Sequence, residues 1–168
     1  ENENENEKKS AGVARKRKKG GECYKRVVFM RHAQASHNVS LDFNNEAERD
    51  AKLTPKGMEQ AARAKKLAES DEKIAEVVRS TELVVVSPLS RALQTCGTVF
   101  DSARNVKRTV VLELVREELS THQCDRRSNV QTVRENGFVR NADFSQLLAG
   151  WPRSGAVVVE EGEEQEQD

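Results

Sequence analysis

The chain is short of the residues from which disulfide frameworks and metal centres are built. Its three cysteines, Cys23, Cys96 and Cys124, are odd in number and lack the short paired spacings of zinc and redox motifs. A disulfide scaffold is therefore excluded and a reducing compartment indicated. Histidine is equally scarce, at 32, 37 and 122. Together with Cys124 these three have nothing like zinc-finger spacing, so no metal and no cofactor is expected. No apolar run approaches the ~20 residues that cross a bilayer, and the N-terminus has no apolar core of a signal peptide. An excess of either charge is missing as well, with 28 basic and 28 acidic residues. That balance gives no general affinity for polyanions. The chain reads as soluble and cytoplasmic, without membrane contact. A nuclear location follows only if the basic run of Arg15, Lys16, Arg17, Lys18 and Lys19 acts as an address, and nucleic acid is not an expected partner.

What is present is one domain's worth of chain between polar ends. Residues 1–23 form a charged tail and residues 160–168 an acidic one, leaving 24–159 to fold. Val27, Val28, Phe29 and Met30 have the length and β-branching of a buried strand, and Arg31, His32 and Asn38 follow it. Sites in α/β proteins lie at such C-terminal strand ends. An imidazole beside a guanidinium there is either a nucleophile with a phosphate-binding neighbour or a satisfied structural pair.

Residues 39–52 are polar and without clean periodicity, which predicts a loop over the site. Thr54 and Pro55 then supply a cap and a first helical residue, and the following stretch is rich in helix formers. Leu83, Val84, Val85 and Val86 predict a second buried strand, with Ser87 and Pro88 opening the next helix. On that helix Leu89, Ala92, Leu93, Cys96, Val99 and Phe100 make one apolar face, so Cys96 belongs to the core. Arg91 lies off that face in the first turn, where it either meets an anion or is solvated. Residues 110–115 predict a third strand, which delivers Arg116 and Glu117. Three parallel strands would thus bring Arg31, His32, Arg91, Arg116 and Glu117 to one sheet edge. Guanidiniums there would hold a phosphoryl group, a neutral imidazole would attack it, and a carboxylic acid would protonate the leaving oxygen.

Residues 28–34, reading Val-Phe-Met-Arg-His-Ala-Gln, with His37 and Asn38, resemble the Arg-His-Gly signature of the histidine phosphatase superfamily, the phosphoglycerate mutase-like proteins. Leu53-Thr54-Pro55-Lys56-Gly57 resembles its second block, residues 86–95 its third, and Val115-Arg116-Glu117 its acid-bearing block. The resemblance implies an α/β three-layer sandwich with a mainly parallel sheet and a metal-independent transfer of phosphoryl groups from small phosphorylated molecules. His32 would carry the phosphohistidine, and Glu117 would be the proton donor. Arg31, Arg91 and Asn38 would bind the phosphoryl oxygens. Cys124, Asp125, Arg126 and Arg127 would either shape substrate choice or form a stabilising salt bridge.

The sequence departs from the family pattern in two places. Ala33 stands where the signature has Gly, which crowds the turn if that position needs positive φ. A second histidine in a Ser/Thr-His-Gly turn is not found, and residues 156–162 offer only Glu-Glu-Gly after a short apolar run. The expectation is a C-terminally incomplete domain with impaired turnover, or alternatively a non-catalytic phosphate-binding scaffold.

Overall fold

The computed structural model describes residues 25–100, 106–117 and 122–148. Both predicted tails, with the basic run at 15–19, lie outside these residues, as does the apolar run at 156–159. The chain divides into two units, Glu1–Met30 and Arg31–Asp168. In the first unit residues 27–30 are not a strand, and their side chains are exposed, Phe29 at 94%. The expected buried strand is therefore corrected. An apolar run becomes a strand only where another strand takes up its backbone hydrogen bonds, and the sheet of the described residues has two strands, neither of them this one.

The second unit begins with the short helix α1 (His37–Ser40) and reaches the long helix α2 (Pro55–Ser70). The predicted start of α2 is borne out: Pro55 occupies the first turn and the Thr54 hydroxyl accepts the Gly57 N–H at 3.0 Å. Helix α3 (Glu72–Ser80) follows after Asp71, whose carboxylate accepts from the Lys73 and Ile74 amides. Strand β1 (Leu83–Val86) leads to helix α4 (Ser90–Phe100), and strand β2 (Arg108–Val111) pairs with β1 in parallel, Val86 opposite Val111. Helix α5 (Val130–Glu135) closes the described elements. The third strand is shorter than expected, because the chain turns into a 3-10 segment at Glu113–Val115.

The core lies between the sheet and α4. Val86, Leu93, Cys96, Val111, Val133 and Leu147 are buried together. Each such side chain contributes roughly 1.5–3 kcal/mol when fully buried. A smaller cluster of Ala35, Ala51 and Cys124, flanked by Phe43 and Leu53, lies under the polar turn that follows Arg31. Helix α2 packs on α4 and approaches that turn very closely. A Cβ on Gly57 would stand 1.9 Å from the Gln34 carbonyl oxygen, so only glycine permits the contact.

The predicted loop at 39–52 is bound into the fold rather than laid over it. It holds a short 3-10 turn, Glu46–Glu48, and buries Glu48, Asp50 and Ala51. Asp50 has φ +49, a conformation Asp tolerates better than most residues. Its carboxylate accepts from Ser90 N at 2.8 Å, Ser90 Oγ at 3.0 Å, Ser128 N at 2.9 Å and Ser128 Oγ at 2.6 Å. Helix α4 is thus capped from 40 residues upstream. The expected local cap is corrected accordingly: Pro88 and Leu89 form a bend that precedes the helix, and Ser87 Oγ accepts only from Leu89 N, at 3.4 Å.

Candidate functional site

The turn from Arg31 to Asn38 is fixed by its backbone amides. Ala33 N donates to Thr95 Oγ1 at 3.1 Å, Gln34 N to Gln60 Oε1 at 2.9 Å, and Ala35 N to Asn38 Oδ1 at 3.0 Å. Ser36 N donates to the Lys52 carbonyl at 3.0 Å. Helices α2 and α4 and the segment before α2 therefore each hold one point of the turn. Ala33 is not among the residues of positive φ, so the side chain in place of glycine causes no backbone strain.

His32 Nδ1 lies 2.7 Å from the Ala33 carbonyl oxygen. A carbonyl can only accept, so Nδ1 carries the proton and Nε2 keeps its lone pair. Burial holds the His32 pKa below its ordinary value, and the Arg91 and Arg31 charges act in the same direction. The Ala33 carbonyl and the Glu117 carboxylate oppose them. At neutral pH the ring is uncharged and can act as a nucleophile. Those same interactions bring four of the predicted residues together, since Arg31, Arg91 and Glu117 all lie within electrostatic reach of His32. Arg31 and Glu117 are exposed at the rim.

Arg91 is neither solvated nor simply waiting at a helix end. It is 2% exposed, with Nη2 paired to Asp125 Oδ1 at 2.9 Å and Nη1 donating to the Cys124 carbonyl at 2.6 Å. The segment Cys124 to Arg127 thus supplies salt bridges, the second of them from Arg127 to Glu113 at 2.9 Å. Arg116 is part of that second group, 3.5 Å from Glu113, and its Nη1 donates to the Asp125 carbonyl at 3.2 Å.

Asn38 is engaged within the turn. Its Oδ1 is claimed by the Ala35 amide, which orients the side chain and directs Nδ2 to His37 Nε2 at 3.0 Å. The structure also brings in a residue that sequence reasoning left without a role. The His37 ring is 5.8 Å from the His32 ring, centroid to centroid, and is buried. Burial, then the Arg91 and His32 charges, push its pKa down to about 4, so it too is neutral. Thr95 had no signal in the local sequence, because it acts through a partner distant along the chain, whereas Asp125 was read as part of the 124–127 segment without its partner Arg91.

Among the described residues no group of His, Cys, Asp and Glu could hold a metal ion. No helix among them is long and apolar enough to cross a membrane. His32 thus lies within electrostatic reach of two guanidiniums and a carboxylate. The model of the histidine phosphatase superfamily (branch 1) matches residues 27–126, and the chain belongs to that family. It has the family's phosphoglycerate mutase-like α/β fold.

Among relatives, the chain is similar to a phosphoglycerate mutase-like protein of Arabidopsis thaliana, 28% identical over 137 residues, covering 63% of this chain and 49% of the relative. It is also similar to phosphoglycerate mutase-like protein 1 of the same plant, 29% identical, covering 63% and 47%. The chain spans about half the length of these relatives. No solved structure gives a significant match.

Proposed function

We propose that the chain carries the phosphohistidine half of a phosphoryl transfer from small phosphorylated molecules. The observation that supports this most directly is the hydrogen bond from His32 Nδ1 to the Ala33 carbonyl, which leaves Nε2 free to attack. In the transfer, the Nε2 lone pair forms a bond to phosphorus as the bond to the leaving oxygen breaks. Glu117, at the rim, gives that oxygen a proton and then accepts one from the water that releases phosphate. Arg31 and Arg91 balance the phosphoryl charge.

His32 must be neutral to attack, and its pKa is held below the ordinary histidine value of about 6.5, so loss of activity through protonation of His32 is expected only at pH below that value. The 168 residues contain no histidine in a Ser/Thr-His-Gly context. Loss of one group that stabilises transferring charge costs about 100-fold to 1,000-fold in rate, so the useful readout is a single turnover. Incubated with a generic aryl phosphate, the chain should release up to one equivalent of phenol and acquire an acid-labile phosphoryl group. His32→Ala should abolish both while leaving the melting transition unchanged. A folded wild-type chain that is never phosphorylated would overturn the reading and favour phosphate binding without chemistry.

A further inference from the structure

Among the described residues, three buried polar side-chain atoms have no hydrogen-bond partner: His37 Nδ1, Arg91 Nε and Gln123 Oε1. Leaving a buried polar group unpartnered is costly, so each calls for a physical reason. For His37 the protonation of the orphaned atom follows from its neighbours. The Ala35 amide can only donate, which identifies the Asn38 atom facing it as Oδ1 and the atom facing His37 as Nδ2. Nδ2 can only donate, so His37 Nε2 must accept and the single proton of the neutral ring sits on Nδ1. The orphan is a hydrogen-bond donor. Arg91 Nε is also a donor, on a side chain 2% exposed.

His37 is within electrostatic reach of Arg91, Asp125 and Glu48, and Arg91 is paired to Asp125. Both also border His32, the first by ring proximity at 5.8 Å, the second by charge. Two desolvated N–H donors on side chains near His32 lack an acceptor within the chain, and a phosphoryl oxygen is a group that can supply one. The third orphan, Gln123 Oε1, is an acceptor. It offers the competing account, in which the imidazole is a packing residue linked to Gln123 through water.

We infer that His37 is a second substrate-contacting imidazole, whose Nδ1–H donates to an oxygen of the phosphoryl group as it transfers to His32. Asn38 is then a positioning residue, which sets the His37 tautomer through Nε2. This rests on His32 as the phosphoryl acceptor. The two rings divide the work: His32 supplies an electron pair and His37 a hydrogen bond, and no proton moves on His37 during the step.

The test uses the full chain and an aryl phosphate, read as the single-turnover rate of His32 phosphorylation. His37→Phe keeps the ring and removes the donor, and the rate should fall about 100-fold or more. His37→Asn carries an amide N–H close to the Nδ1 position and should recover much of that loss. An unchanged rate in His37→Phe, with His32 still phosphorylated, overturns the role of His37 and supports the packing account. Absence of phosphorylation in the wild type overturns the His32 reading and this inference with it. A second measurement needs no variant: in chain labelled with nitrogen-15 at histidine, inorganic phosphate should shift the His37 Nδ1–H resonance while Nε2 stays unprotonated. Phosphate that perturbs His32 alone, or neither imidazole, would count against the inference.

Discussion

Two buried charged clusters lie close along the chain, and they differ in how completely they are satisfied. In one, Glu113 is 3% exposed and receives Arg127 Nε on both carboxylate oxygens, while Arg127 Nη1 and Nη2 donate to the Ser128 and Leu148 carbonyls. Arg116 adds a second cation beside the same carboxylate. In the other, Arg91 uses Nη1 and Nη2 on Cys124 and Asp125 and leaves Nε without a partner, as His37 leaves Nδ1. In the first cluster every Arg127 nitrogen is engaged, and Arg116 reaches the Asp125 carbonyl of the second at 3.2 Å. The second has donors to offer, and that surplus separates a site from a structural ion pair more sharply than burial or charge does.

The comparison breaks most visibly if the first cluster is opened. Glu113→Ala would strand Arg127 and Arg116 without their carboxylate, and breaking a buried pair costs about 3–5 kcal/mol. Urea denaturation should show that loss, whereas His32 phosphorylation per folded molecule should survive. If stability were unchanged, the contrast between the clusters would fail. A smaller effect is expected at the contact between α2 and the turn. Gly57→Ala forces a Cβ against the Gln34 carbonyl, and overpacking of this kind costs about 1–3 kcal/mol. Because the displaced backbone belongs to the turn bearing His32, phosphorylation should slow along with the drop in melting temperature.

Acid sharpens the comparison from the other side. His37 has a pKa of about 4 in the folded chain against about 6.5 unfolded, so the unfolded chain binds the proton first. Stability present above pH 6.5 should decline as pH falls toward 4, and His37→Phe should flatten that decline in melts at pH 7 and pH 5. The smallest effect is a chemical one. Burial raises the Cys96 and Cys124 thiols to about 11, so neither should react with alkylating agents in the folded chain at neutral pH. Mass spectrometry after brief labelling checks this, with the denatured chain as the positive control.

Much of this was legible because the signals are local. Thr54 and Pro55 mark the start of α2 within four residues, and the run at 83–86 is the strand it looked like. Arg31, His32, Arg91 and Glu117 were readable because each sits just beyond an apolar run or in a first helical turn. What could not be read depends on partners far away in sequence. The burial of Arg91 comes from Asp125, 34 positions on, and the cap of α4 from Asp50. Residues 27–30 have a strand's composition without a strand's hydrogen bonds, since apolar content is a property of the segment and pairing is not. The tautomer of His37 required the orientation of a neighbouring amide, which no spacing rule supplies.

The bonds of Asp50 also bear on the order in which the molecule assembles. They reach 40 residues forward to Ser90 and 78 to Ser128. Loops of that length must close before any of those bonds forms, whereas the α2–α3 hairpin depends only on neighbours. Helices should therefore be present in a refolding chain well before the Asp50 bonds that tie Ser90 and Ser128 together. Phosphoryl acceptance would appear last, as a report that the whole second unit has closed.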